Sequence, residues 1–188
     1  EGEHAHEEGH AEGEHAHGHD GSDHIWYSFG VASLMAEVFA VELGEILPEH
    51  ATEFTANAEA FHEEMKAIEV RRDSLVGDIG YFEAHPMASL LFKDLGFKNL
   101  TPEGFAEAEE AELEPSVAII AESEALIGSG KLSFLAVNQQ VTSQTLTSLR
   151  EKADAASVPV LEFDELLPTG MNYQQWANSV LDQIESVR

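Results

Sequence analysis

The stretch "KLSFLAVNQQVTSQTLTSLREKADAASVPVLEFDE", residues 131–165, decides the fold. Leu132–Val137 is the clearest buried strand of the chain, a short apolar run behind the break Gly128-Ser129-Gly130. Thr142–Ala156 then reads as a helix and Val158–Phe163 as another strand. The same alternation runs upstream. Ile79–Ala84 is a candidate strand, Pro86–Leu95 a helix stopped by Gly96, and Phe97–Leu100 a short strand. Thr101-Pro102-Glu103 has the threonine cap, first-turn proline and early acid of a helix start. Glu114-Pro115-Ser116 begins another helix, to about Ile127, and Tyr173–Val187 is the last. Strands alternating with helices predict an α/β fold: a small parallel four-stranded sheet with helices on both faces. In such sheets ligands bind beyond the carboxyl ends of the strands.

Before the alternating region the period is helical. Val31, Leu34, Met35, Val38, Phe39, Leu43 and Ile46 make a broad apolar stripe, closed by Pro48. Phe54, Ala58, Phe61, Met65 and Ile68 step by four and three and predict a long connecting helix to about Val70. His24–Ser28 is short and aromatic, a strand end or turn.

Residues 1–23 hold only Glu, Gly, His, Ala, Asp and Ser, and EGEHAH occurs at 1–6 and again at 12–17. With no large apolar residue the segment cannot offset its ordering entropy, so disorder is expected when metal-free. His4, His6, His10, His15, His17 and His19 stand among glutamates as H-x-H pairs. Such a tract associates with Zn, Ni or Cu loosely and with little geometric selectivity. It should release metal as pH falls through the imidazole range near ~6.5, because the ligands must be deprotonated.

The chain has 188 residues, 36 acids against 9 basic residues, and a formal net charge of −27. No cluster of Lys and Arg with interleaved aromatics occurs, so neither nucleic acid nor an anionic membrane surface is an expected partner. No apolar run approaches the ~20 residues of a membrane span. Cysteine is absent, which removes disulfides, thiolate metal sites and cysteine nucleophiles together. No phosphate-binding glycine loop, nucleophile elbow or dedicated base is visible, and nothing argues for an enzyme.

Two predicted strand ends carry chemistry. One gives Glu83-Ala84-His85-Pro86, the other Asp164-Glu165. With His24 at the edge of the aromatic stretch, they offer two imidazoles and a carboxylate, a nitrogen and oxygen set suited to a divalent transition metal. Spacing alone does not assign the site, since His24 and His85 are sixty-one positions apart. Asn138-Gln139-Gln140, after the Leu132–Val137 strand, lines a cleft or caps the next helix. His50 and His62 read as solvated, and Tyr173 and Trp176 as packing residues.

In this order the features resemble the metal-binding solute-binding proteins of zinc and manganese ABC importers, especially the zinc-type members with a His-rich loop. In that family PHxW follows the loop and its histidine is a ligand. The matching residue here is His24, preceded by Asp23 rather than Pro. "HPMASLLFKDLGF" matches the segment opened by a second ligand, giving His85, and "VLEFDELLP" the segment of a carboxylate ligand. There the register favours Glu165, with Asp164 as the alternative. "GMNYQQWANSVLDQI" looks like the family's last helix.

The resemblance implies a division of the chain. Residues 1–23 would be the His-rich loop and 24–48 the last strand–helix unit of a truncated first lobe. Residues 49–71 would be the inter-lobe helix and 72–188 the metal-binding second lobe. An absent N-terminal lobe would supply a further histidine. The implied function is extracytoplasmic capture of Zn2+, in the periplasm or on a lipid-anchored bacterial surface, for delivery to an ABC permease. A Mn2+ or Fe2+ binder and a surface metal-binding adhesin are the rival readings. On this reading the Val31–Ile46 stripe lacks part of its packing partner and leaves apolar surface exposed.

Overall fold

The computed structural model describes residues 24–111 and 113–188. In chain order its elements are α1 (Phe29–Ile46), α2 (Ala51–Ser74), β1 (Gly80–Glu83), α3 (Ser89–Asp94) and β2 (Lys98–Asn99). Then come α4 (Glu103–Glu110), α5 (Val117–Ile127), β3 (Phe134–Asn138), α6 (Gln144–Ala155), β4 (Val160–Phe163) and α7 (Tyr173–Glu185). Single 3-10 turns sit at Ile25–Tyr27 and Pro48–His50.

The four strands form one sheet in the order β2-β1-β3-β4, and each neighbouring pair is parallel. β3 lies between β1 and β4 and is buried at every position. This is why its sequence is a continuous apolar run rather than an alternation. Side chains leave a strand on alternate faces, and the core divides accordingly. Tyr81, Phe134, Ala136, Leu161 and Phe163 join the layer with Met65 of α2, Leu91 and Phe92 of α3, and Trp176 and Leu181 of α7. Phe82, Leu135 and Val137 join the opposite layer with Phe105 of α4, Ile127 of α5, and Leu146 and Leu149 of α6.

Helix starts follow side-chain caps. The side chains of Ser116, Ser143 and Asn172 accept from the backbone N–H of Ile119, Leu146 and Gln175, and Asn172 with Gln175 completes a capping box. Gly96, at φ 71°, ends α3. Two expectations need adjusting, and one open alternative is resolved. α3 begins at Ser89 rather than Pro86, because the Ala88 N–H is bonded to the Glu83 carboxylate and residues 84–88 form a turn. β2 is two residues long, and the aromatic stretch after His24 is a 3-10 turn.

The two long helices treat their apolar stripes differently. On α2, Ala58, Met65 and Ile68 are buried, with Phe61 packed against the main core. The stripe of α1 faces outward. Leu34, Phe39 and Ile46 are 58%, 55% and 71% exposed, and the buried residues of α1 are Phe29, Ser33 and Ala40.

α2 is tied to α7 by Arg71. Its guanidinium donates to the Asn178 carbonyl and Oδ1 (3.2 and 3.0 Å), to Asp182 (2.5 Å) and to Glu185 (2.9 Å). Several partners on one fork make this a network rather than an isolated surface pair. At the centre of the larger core, fully buried Phe92 meets the rings of Tyr81, Phe134 and Phe163 at centroid separations of 4.5, 5.4 and 5.3 Å. Truncation there leaves a cavity among rings that cannot collapse. Phe92→Ala should cost about 3–5 kcal/mol, and Val117→Ser, at an 85% exposed position, should stay within about 0.5 kcal/mol. Urea unfolding followed by circular dichroism measures both.

Candidate metal centre

Parallel strands all end on the same edge. β1 ends in Glu83, β3 in Asn138 and β4 in Phe163, with Glu83 opposite Ala136 and Asn138 opposite Phe163 in register. His85 follows β1 by two residues and Asp164-Glu165 follows β4 directly. His24 arrives on the same edge from outside the sheet.

Two phenols hold the turn that carries His24. Tyr27 donates its hydroxyl to the Asp164 carbonyl at 2.8 Å, and Tyr173 donates to the Trp26 carbonyl at 2.6 Å. Tyr27 also packs edge-on against Trp176 and Phe163, at 4.8 and 6.0 Å between ring centroids. Burial pushes both phenols well above their ordinary range, so they stay protonated and keep donating. The His24 ring stands edge-on to Trp26 at 5.2 Å and to His85 at 5.8 Å.

That last separation suits a shared ion. Two imidazoles bound through one nitrogen each at about 2.0–2.1 Å, at a tetrahedral angle, would have centroids roughly 5 Å apart. Opening the angle to about 125–130° at the same bond lengths reaches the observed value. Both rings are half-buried, with access left for an ion.

Glu165 is exposed and is held through its neighbours. Asn138, 1% exposed, donates Nδ2–H to Glu165 Oε2 at 3.3 Å, while its Oδ1 accepts from the Gln140 N–H at 2.8 Å. Gln140 in turn accepts the Glu165 N–H at 3.1 Å and donates to Asp164 Oδ1 at 3.2 Å. The Asn138-Gln139-Gln140 segment therefore secures the acidic pair after β4. An apolar hollow of about 270 Å3 opens beside Glu165, between Trp26, Leu166, Leu167, Tyr173 and Trp176.

Among the described residues, no three His, Asp or Glu side chains already form a closed ligand set. The structure brings His24 and His85 together and leaves the Glu165 carboxylate at the end of β4, with β3 between that strand and β1. His4, His6, His10, His15, His17 and His19 lie outside the described residues. His62 and His50 are not simply solvated. His62 Nδ1 lies 2.8 Å from Ser33 Oγ and 3.2 Å from Glu37, and His50 lies 3.2 Å from Glu53.

One residue of the edge was not assigned a role from sequence. Glu83 is 5% exposed, and its carboxylate accepts from the Ala88 N–H (2.9 Å) and the Ser89 hydroxyl (2.7 Å). Those bonds set the turn on which His85 sits. The sequence offered one signal: an acid at the end of a strand otherwise made of core residues. Burial outweighs the two donors and pushes the carboxyl from an ordinary value of 4.5 up to about 7.

The family described as zinc-uptake complex component A, periplasmic, matches residues 1–187. No curated protein sequence matches the chain. Among solved structures, the periplasmic zinc-binding protein TroA of Treponema pallidum aligns at TM-score 0.67 and 19% identity, over 87% of this chain and 62% of that one. The laminin-binding protein Lmb of Streptococcus agalactiae, described as a bifunctional protein with adhesin and metal-transporting activity, aligns at 0.67 and 21%, over 87% and 62%. The solute-binding protein FpvC of Pseudomonas aeruginosa, in complex with Mn2+, aligns at 0.66 and 15%, over 88% and 64%. The chain thus spans less than two thirds of the length of these structures, and at such identities the likeness is one of fold.

Glu83 yields a test with a definite sign. Its folded-state pKa lies above the unfolded value, so the folded chain keeps a proton that the unfolded chain has lost. The stabilising contribution is full below about pH 4.5 and disappears as pH rises through about 7. Relative to wild type, Glu83→Gln should therefore become steadily more stable between pH 5 and pH 8. Denaturant midpoints at the two pH values check this.

Proposed function

The chain belongs to the zinc-uptake complex component A periplasmic family, and on that premise we propose that it captures Zn2+ outside the cytoplasm and hands it to an ABC-type permease. The observation that carries this reading is the imidazole pair His24 and His85, 5.8 Å apart at the carboxyl edge of the sheet. Glu165 is the third donor, since Asn138 and the backbone bond to Gln140 hold it at that edge, while Asp164 is engaged by Gln140. Binding rather than turnover is the activity.

Nitrogen donors and few ligands favour zinc over manganese, which prefers more carboxylate and a higher coordination number. In this reading residues 24–48 close a first lobe, 49–71 join the lobes, and 72–188 form the second lobe, with the metal in the cleft. The outward stripe of α1 is the seat of that first lobe, which adds a further ligand; the exposure of Leu34, Phe39 and Ile46 supports this. The tract of residues 1–23 collects zinc near the cleft.

With residues 1–22 removed, His85→Ala and His24→Ala should each weaken zinc binding at least tenfold in calorimetry, and zinc should outcompete manganese. Unchanged affinity in His85→Ala would overturn the site assignment. The stripe gives a separate expectation. The 188-residue chain, with the stripe uncovered, should self-associate through α1, and Leu34→Glu combined with Phe39→Glu should shift its sedimentation velocity toward monomer.

A further inference from the structure

We propose that Glu109 is the positioning residue for His85: its carboxylate takes the Nδ1–H of the imidazole, fixes the ring and leaves Nε2 for the metal. The inference rests on the reading of His85 as a zinc ligand and adds to it a residue from the opposite layer of the fold.

His85 Nδ1 lies 3.5 Å from Glu109 Oε2, and the two side chains are 27% and 24% exposed. The approach is built by packing. Phe105 of α4 is buried edge-on against Phe82 of β1, with centroids 5.1 Å apart and planes at 89°. Glu109 stands four residues beyond Phe105, on the same helix face. Phe82 stands three residues before His85. One aromatic contact therefore anchors the helix over the strand end and brings the carboxylate to the imidazole.

The space around them is small. His85 and Glu109 share a recess of about 10 Å3 with Ala84, Phe105, Asn138 and Leu146, room for about one water at most. The Nδ1 side of the ring thus faces a carboxylate in a narrow, partly open recess.

A ligating histidine commonly donates its second ring N–H to a carboxylate. That bond selects the tautomer, orients the ring and raises its basicity, and its loss costs about 10–100-fold in metal affinity. Glu109 can do all three for His85. Glutamine, neutral but with an oxygen in the same place, can still accept the hydrogen bond from Nδ1–H but cannot raise basicity to the same degree.

The test uses the full 188-residue chain with Glu109→Ala, Glu109→Gln and His85→Ala. Long-range 1H–15N correlation reads the His85 tautomer without metal, and calorimetry reads the tightest zinc phase. Glu109→Ala should move His85 from the Nδ1–H tautomer to a mixture and weaken zinc about 10–100-fold. Glu109→Gln should keep the tautomer and fall between. An unchanged tautomer or unchanged zinc affinity in Glu109→Ala, with His85→Ala still impaired, overturns the role of Glu109 and leaves His85 a ligand. Unchanged affinity in His85→Ala overturns the ligand reading itself. Metal-free melting of each variant separates loss of fold from loss of positioning.

Discussion

In a sheet whose strands all run the same way, every strand leaves by the same edge. That constraint gathers Glu83, Asn138 and Phe163 on three neighbouring strands, and with them the residues that follow: His85, Gln140, Asp164 and Glu165. Residues far apart in the chain become neighbours because the crossovers between parallel strands are helices, which return the chain to the opposite edge each time. The residues that follow these strand ends include His85, Asp164 and Glu165, which are half-buried or exposed. Chemistry collects there because the interior has no place for it.

Aromatic rings do for His24 what the sheet does for the others. The turn carrying it belongs to no strand, yet Tyr27, Tyr173 and Trp176 hold it through two hydroxyl bonds to backbone carbonyls and a cluster of edge-on and tilted rings. The cluster lies on the layer that also contains Phe92 and Phe163. Core and site are continuous at this point, so the packing that stabilises the fold also sets the distance between the two imidazoles.

Much of this was legible beforehand. The apolar run Leu132–Val137, the capped helix starts and the step-four stripe of α2 announce a covered parallel sheet and a long helix, because burial and local capping leave a signature in neighbouring residues. His24, His85 and the Asp164-Glu165 pair stood out as candidates at predicted strand ends, but only the resemblance joined them into one site, since nothing local marks residues brought together by crossovers. Glu83, Asn138 and Glu109 act through partners 5, 27 and 24 positions away. Asn138 was left open between cleft and cap, and nothing in the sequence singles out Glu109. The apolar stripe of α1 was plain in the sequence, but periodicity gives a face and not what covers it.

The bond between Asn138 and Glu165 has a further consequence. His24 and His85 are stationed by packed rings and a closed turn, so folding has already removed most of their freedom. Glu165 is exposed and tethered by amides at its side chain and backbone. Ordering it fully costs side-chain entropy of up to about 1.5–2 kcal/mol. On the proposed reading, capture and release of an ion at this edge would therefore be unequal events: a standing pair of nitrogens would receive it, and an oxygen on a looser arm would be the last to engage and the first to let go.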